Sequence, residues 1–95
     1  MKRYSILNNL DTCFYCGRKR EHIHEVFFGT ANRKISIENG FCVGLCNNCH
    51  RLVHNNSFYP VDGTMNRHLK VVYQRKYEKT HSRKEFIRLI GKNYL

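Results

Sequence analysis

The chain has 95 residues, which suits one domain and is too short to bury a large apolar core. Seventeen Lys and Arg against seven Asp and Glu give a formal net charge of +10, the balance expected of a protein that meets a polyanion. No apolar run approaches a membrane span, and Met1 to Leu10 lacks the apolar core of a secretory leader, so the expectation is a soluble cytoplasmic chain.

In chain order, Met1 to about residue 12 is a polar lead without a strong pattern. Cys13-Phe14-Tyr15-Cys16-Gly17 has the form of a zinc knuckle, with Gly17 relieving the backbone after the second sulfur. His22 to Phe28 mixes polar and β-prone residues before turning apolar, which predicts a strand with one functional face. Gly29 to Arg33 is expected to be a loop. Lys34 to Glu38 is expected to form a helical turn, with Asn39-Gly40 as its left-handed end. Phe41 to Leu45 is a second short strand. Asn47 to His54 reads as a helix with Leu52 and Val53 toward the core, and Asn55 to Gly63 as a loop.

Thr64 is placed to cap a helix from Met65 to about Lys79, with Met65, Leu69, Val72, Tyr73 and Tyr77 as its apolar stripe. Ser82 and Glu85 have capping-box spacing at the start of a last helix, which buries Phe86, Leu89 and Ile90 and ends at Gly91. The expected fold is therefore α+β: a small core over residues 13–54 followed by a helical extension over 64–91, all in one domain.

The chemistry is concentrated in two places. Cys13, Cys16, Cys46 and Cys49 form two C-x-x-C pairs separated by residues 17 to 45, a foldable insert of twenty-nine. Paired C-x-x-C units can converge on one tetrahedral Zn²⁺, which is a common remedy for a small core. Five cysteines, an odd number, fit a metal in a reducing compartment better than a disulfide framework. The fifth, Cys42, falls on the second strand and is expected in the core.

His50 and His54 are four residues apart and so share a helix face, directly after the second knuckle. With His24 and Glu25 on the preceding strand they make the set that a hydrolytic metal site needs: fixed ligands, open positions and a nearby base.

These residues, in this order, resemble the HNH (ββα-metal) endonucleases. They are Cys13-x-x-Cys16, then His24-Glu25-Val26, then Leu45-Cys46-x-x-Cys49-His50-x-x-x-His54. The likeness extends to Phe28-Gly29-Thr30-Ala31-Asn32-Arg33 and to the tail from Phe86 to Leu95, both similar to small phage and prophage members. More distantly, the chain is similar to the phage RecA-dependent recombination nuclease.

The resemblance implies a zinc-stapled ββα-metal module followed by two C-terminal helices. It also implies a catalytic divalent ion such as Mg²⁺, Mn²⁺, Ni²⁺ or Zn²⁺, and action on DNA in the host cytoplasm. It places a metal ligand and a general base on the strand, here His24 and Glu25, and helix ligands at His50 and His54. In the family the second strand residue is a His, and this sequence has Glu25 there. His24 is the favoured base, because a carboxylate beside a divalent cation is the better ligand. His22, on the same strand face as His24, is a third candidate. The orienting Asn of the family corresponds to Asn39 by spacing or to Asn32 by its surrounding stretch.

From Arg67 to Lys92 there are nine Lys and Arg against Glu78 and Glu85. Arg51 on the metal-bearing helix and Arg75, Lys76, Lys79, Arg83, Lys84 and Arg88 beyond it are the expected phosphate contacts, with little sequence selectivity. Two other readings share these features. One is a non-catalytic zinc module that holds nucleic acid or a protein; the other is an RNA nuclease with the same site.

Overall fold

The computed structural model describes residues 2–7 and 9–95. Among the described residues the chain forms a small α+β domain with four helices and two small antiparallel sheets. Strand β1 is His22–Glu25 and strand β2 is Cys42–Leu45, paired with His22 opposite Leu45 and Glu25 opposite Cys42. Helix α1, Asn32–Asn39, lies between them, and helix α2, Asn47–His54, follows directly from β2. Strands β3 (Phe58–Tyr59) and β4 (Gly63–Thr64) form a hairpin, after which come α3 (Met65–Tyr77) and α4 (Arg83–Ile90).

Local chemistry explains the element ends. Thr64 caps α3 by accepting from the Arg67 N–H, and Ser82 with Glu85 closes a reciprocal capping box on α4. Gly40 ends α1 in the left-handed region at φ 75°, as Asn39-Gly40 predicts. Helix α1 nevertheless starts earlier than expected: Asn32 and Arg33 belong to it, because the Arg33 N–H reaches back to the Gly29 carbonyl. The first strand is shorter than expected. Val26 still bonds the Phe41 carbonyl, but Val26 and Phe27 turn down into the core and β1 ends at Glu25.

The core is aromatic. Phe27 meets Phe41 at 5.3 Å and Phe86 at 5.5 Å, both edge to face, and Tyr77 closes on Phe41 at 5.7 Å. Helix α3 contributes Met65, Leu69, Val71 and Tyr73. The expected stripe is corrected at one position: Val71 is buried and Val72 only half-buried. Gln74 is buried beside them, which hydropathy does not anticipate. Its amide bonds Glu78 and Asn93 and accepts from the Tyr94 N–H, which fastens the C-terminal tail to α3.

The N-terminal lead is structural rather than featureless. Ser5 bridges to Phe41, the Ile6 N–H bonds the Gly40 carbonyl, and the Ser5 hydroxyl meets the Tyr73 hydroxyl at 2.7 Å. A Cβ on Gly44 would stand 2.7 Å from the carbonyl oxygens of both Leu10 and Thr12, so this strand position has to be bare for the lead to cross β2. Cys42 is in the core as expected, and burial pushes its thiol up to about 11. No helix among the described residues is long and apolar enough to cross a membrane.

Candidate metal centres and active site

Two clusters of metal-ligating side chains lie on either side of the start of α2. The first is Cys13, Cys16, Cys46 and Cys49, whose sulfurs all lie within 4.8 Å of one another. Sulfurs bound at 2.3 Å around a tetrahedral ion would stand about 3.8 Å apart, and Cys16 and Cys46 are already at 3.6 Å. The four can hold a metal ion.

The backbone builds this site before any metal is considered. The knuckle 13–17 is closed by Gly17 N–H to the Cys13 carbonyl, with Gly17 at φ 75°. It is pinned to β2 through Phe14 N–H to the Gly44 carbonyl. On the other side Cys46 is the N-cap of α2, its sulfur accepting from the Cys49 N–H at 3.4 Å. Burial pushes the Cys13 thiol up, but backbone N–H groups from residues 46, 16 and 15 outweigh it and bring the group down to about 6. Cys49 moves upward, first through burial and then through its neighbouring sulfurs. Packed thiols cannot all ionise without a cation among them.

The second cluster is His24, His50 and His54, whose ring nitrogens also lie within 4.8 Å of one another. The register of β1 on β2 and the short connection into α2 bring the strand face under the helix. Ring centroids are 5.6 Å apart for His24 and His50, 5.2 Å for His24 and His54, and 4.6 Å for the helix pair. His24 is buried, and its Nε2 has no hydrogen-bond partner among the described residues. Burial, followed by the charges of His54 and His50, lowers its pKa to about 3. His50 is lowered by burial and by His54 and His22, with Glu25 opposing. The Nε2 atoms of His50 and His54 meet at 3.0 Å, and the three rings gather nitrogens within reach of a single divalent cation, which imidazole nitrogens can ligate.

His22 is close by but occupied. It stacks on the far side of His50 at 4.4 Å, and its Nε2 is bonded to the Asn47 side chain. Asn47 is in turn held by Glu21, whose carboxylate accepts from the Asn47 backbone N–H at 3.0 Å and its side-chain amide at 2.7 Å. Glu21 and Asn47 thus fix the first turn of α2. Sequence reasoning missed both, since neither lies in a metal-ligand spacing.

Glu25 alternates to the opposite side of β1 from the imidazole of His24. Its carboxylate accepts from Arg3 Nε at 3.1 Å and from Arg33 Nε at 2.9 Å. Even so, Glu25 and Arg33 line the same open cleft as His24, His50 and His54, a volume of about 690 Å³ with Phe28 at its rim. Lys70 sits over the Phe28 ring at 4.3 Å.

Neither orienting Asn joins this group. Asn39 bonds back to the Ile35 carbonyl of its own helix and lines a different hollow, and Asn32 bonds the Ile90 carbonyl and so ties α1 to α4. Both roles come from local helix chemistry that a spacing argument does not register.

Of the expected phosphate contacts, Arg51 is exposed on α2 with Nη2 on Asn48 at 2.6 Å. Arg83 is paired with Glu78 through two contacts, 3.2 and 3.3 Å. Arg75, Lys79, Lys84 and Arg88 are exposed and Lys76 is half-buried, and none of them lines the His-bearing cleft. Comparisons of the chain with family models, curated proteins and solved structures return no match.

Proposed function

We propose that the chain is a metal-dependent endonuclease of the HNH (ββα-metal) type, of the small phage or prophage kind. It would hydrolyse phosphodiester bonds in DNA with little sequence selectivity. The observation that carries the reading is the convergence of His24, His50 and His54 at the edge of an open cleft that also holds Glu25 and Arg33. A binding module has no need of three imidazoles gathered at one point, the His50 and His54 Nε2 atoms 3.0 Å apart and that of His24 without a partner among the described residues. The buried, unpartnered His24 Nε2 in particular lacks the partner that burial ordinarily demands.

In this reading Cys13, Cys16, Cys46 and Cys49 hold a structural Zn²⁺. His24, His50 and His54 hold the catalytic divalent ion, which makes His24 a ligand and not the base. Such an ion supplies Lewis acidity toward a phosphoryl oxygen and acidifies bound water. Glu25, which lines the cleft, would take a proton from the attacking water as the water oxygen bonds to phosphorus and the P–O bond to the leaving oxygen breaks, and the leaving oxygen would take its proton from solvent. Arg33 binds a non-bridging phosphate oxygen. Arg51 and the cations of α3 and α4 hold the flanking backbone, so affinity falls with rising salt.

One observation favours the non-catalytic alternative: Glu25 already serves two guanidinium groups, which compete for the electron pair a base must offer. The test is cleavage of plasmid DNA by the wild type and by His24→Ala, His50→Ala, His54→Ala and Glu25→Gln, each titrated with Mg²⁺, Mn²⁺, Ni²⁺ or Zn²⁺. The His variants should lose activity that excess metal partly restores. Glu25→Gln should lose about 10²–10⁴-fold, with no rescue by metal. Full activity in all the His variants would remove the hydrolytic centre and leave the zinc-bound module. An RNA substrate cut faster than DNA would reassign the substrate alone.

A further inference from the structure

Away from the His cluster, a hollow of about 350 Å³ opens where the N-terminal lead meets the end of α3. Its walls include Tyr4, Tyr77 and His81 together with Lys76 and Lys79. Tyr4 is fixed at both ends. Its hydroxyl donates to the Glu38 carbonyl at 3.1 Å, and its ring lies so close to Gly40 that a Cβ there would stand 2.5 Å from Cε2. Held this firmly, the side chain is still 47% exposed. His81 lies flat on Tyr77, with centroids 4.0 Å apart and planes 8° from parallel, while its residue is exposed. Two rigid aromatic surfaces with lysines beside them are a costly arrangement for solvent alone to face.

We infer that this hollow receives a nucleobase of single-stranded DNA, stacked on Tyr4 or His81, with Lys76 and Lys79 on the adjoining phosphates. Aromatic platforms within a basic groove are the means by which proteins bind a single strand without reading its sequence. A volume of this size is suited to one nucleotide and not to a duplex.

The hollow also leads somewhere. Tyr4 is shared with a second hollow of about 580 Å³, which carries Lys2, Arg20 and Arg3, the last paired with Glu25, against Asp11. That hollow shares Ile23 with the cleft of the His cluster. A single strand anchored at Tyr4 would therefore run along a basic path toward His24, His50 and His54. Only this direction of travel rests on the nuclease reading; the stacking site does not. The preferred substrate becomes a duplex carrying a single-stranded extension.

The experiment is fluorescence anisotropy of a labelled blunt duplex and of the same duplex with an oligo-dT overhang. The protein carries one equivalent of zinc, enough for the cysteines alone, and no further divalent metal is added, so that nothing is cut. The overhang should bind about tenfold or more tighter, the range expected of base stacking on aromatic side chains. Tyr4→Leu and His81→Ala should abolish that preference while leaving blunt-duplex affinity unchanged, and Tyr4→Phe should keep it. Lys76→Gln with Lys79→Gln should flatten the salt dependence on the overhang by about 0.7 in log–log slope per lost contact. Equal wild-type affinity for the two DNAs, or an equal loss on both in Tyr4→Leu and His81→Ala, would overturn the inference. A protein that keeps the preference but never cleaves refutes the nuclease reading and leaves this site standing.

Discussion

Stripping metal from the four-cysteine site should unfold the chain. The two knuckles are the covalently addressable link between the segment 13–17 and the first turn of α2, and α2 carries His50 and His54. A 95-residue domain has a stability of about 5–14 kcal/mol at typical per-residue values. A structural zinc bound by folded Cys ligands contributes about 10–16 kcal/mol of apparent binding free energy at neutral pH. The second quantity matches or exceeds the first, so the apo chain should retain little folded population. The assay is far-ultraviolet circular dichroism during titration with a high-affinity chelator, together with metal release followed optically. Helical signal should collapse in step with release of one equivalent from the cysteines, and Cys49→Ser should reproduce the collapse. An apo-protein with unchanged helical signal and a cooperative thermal transition would show that the aromatic core suffices and that the cysteine cluster is not the staple argued here.

Two further expectations concern the frame around the sites. Tyr73→Phe removes a hydroxyl that donates to the Cys42 carbonyl at 2.7 Å and meets Ser5 at 2.7 Å, so denaturant unfolding should show a loss of about 1–3 kcal/mol; a neutral result would mean that water satisfies both partners. Gly40→Ala places a Cβ 2.5 Å from the Tyr4 ring in a left-handed turn, and should cost about 1–3 kcal/mol and loosen the N-terminal lead. Hydrogen exchange at the Ile6 amide, which bonds the Gly40 carbonyl, is the direct check; unchanged protection there would contradict the role given to Gly40.

What the sequence made legible was chemistry carried by short spacings. C-x-x-C and H-x-x-x-H act through one turn of backbone, so the two cysteine pairs and the His50–His54 pair could be predicted from residue numbers alone, as could the caps at Thr64 and Ser82, whereas the choice of His24 over Glu25 as the third member could not. What it concealed depends on which side of an element a side chain takes and on what crosses it later. Glu25 sits one residue from His24 in the chain but on the other side of β1, where Arg3 and Arg33 hold it. The lead shows no periodicity because it is held by scattered bonds to Gly40, Phe41 and Tyr73, not by an apolar face of its own. Val71 displaced Val72 because α3 packs on several elements at once, which widens and rotates its buried face relative to a single stripe. Asn39 had the right spacing but a nearer partner within its own helix.

The most direct measurement of the central claim is relaxation of supercoiled plasmid by zinc-loaded protein, with and without a second divalent metal and with His54→Ala in parallel. Nicking should depend on the added metal, saturate with one further equivalent bound per chain, and be lost in His54→Ala while the helical signal is retained. Plasmid left intact across Mg²⁺, Mn²⁺, Ni²⁺ and Zn²⁺, with no second equivalent bound by a fully folded protein, would contradict it.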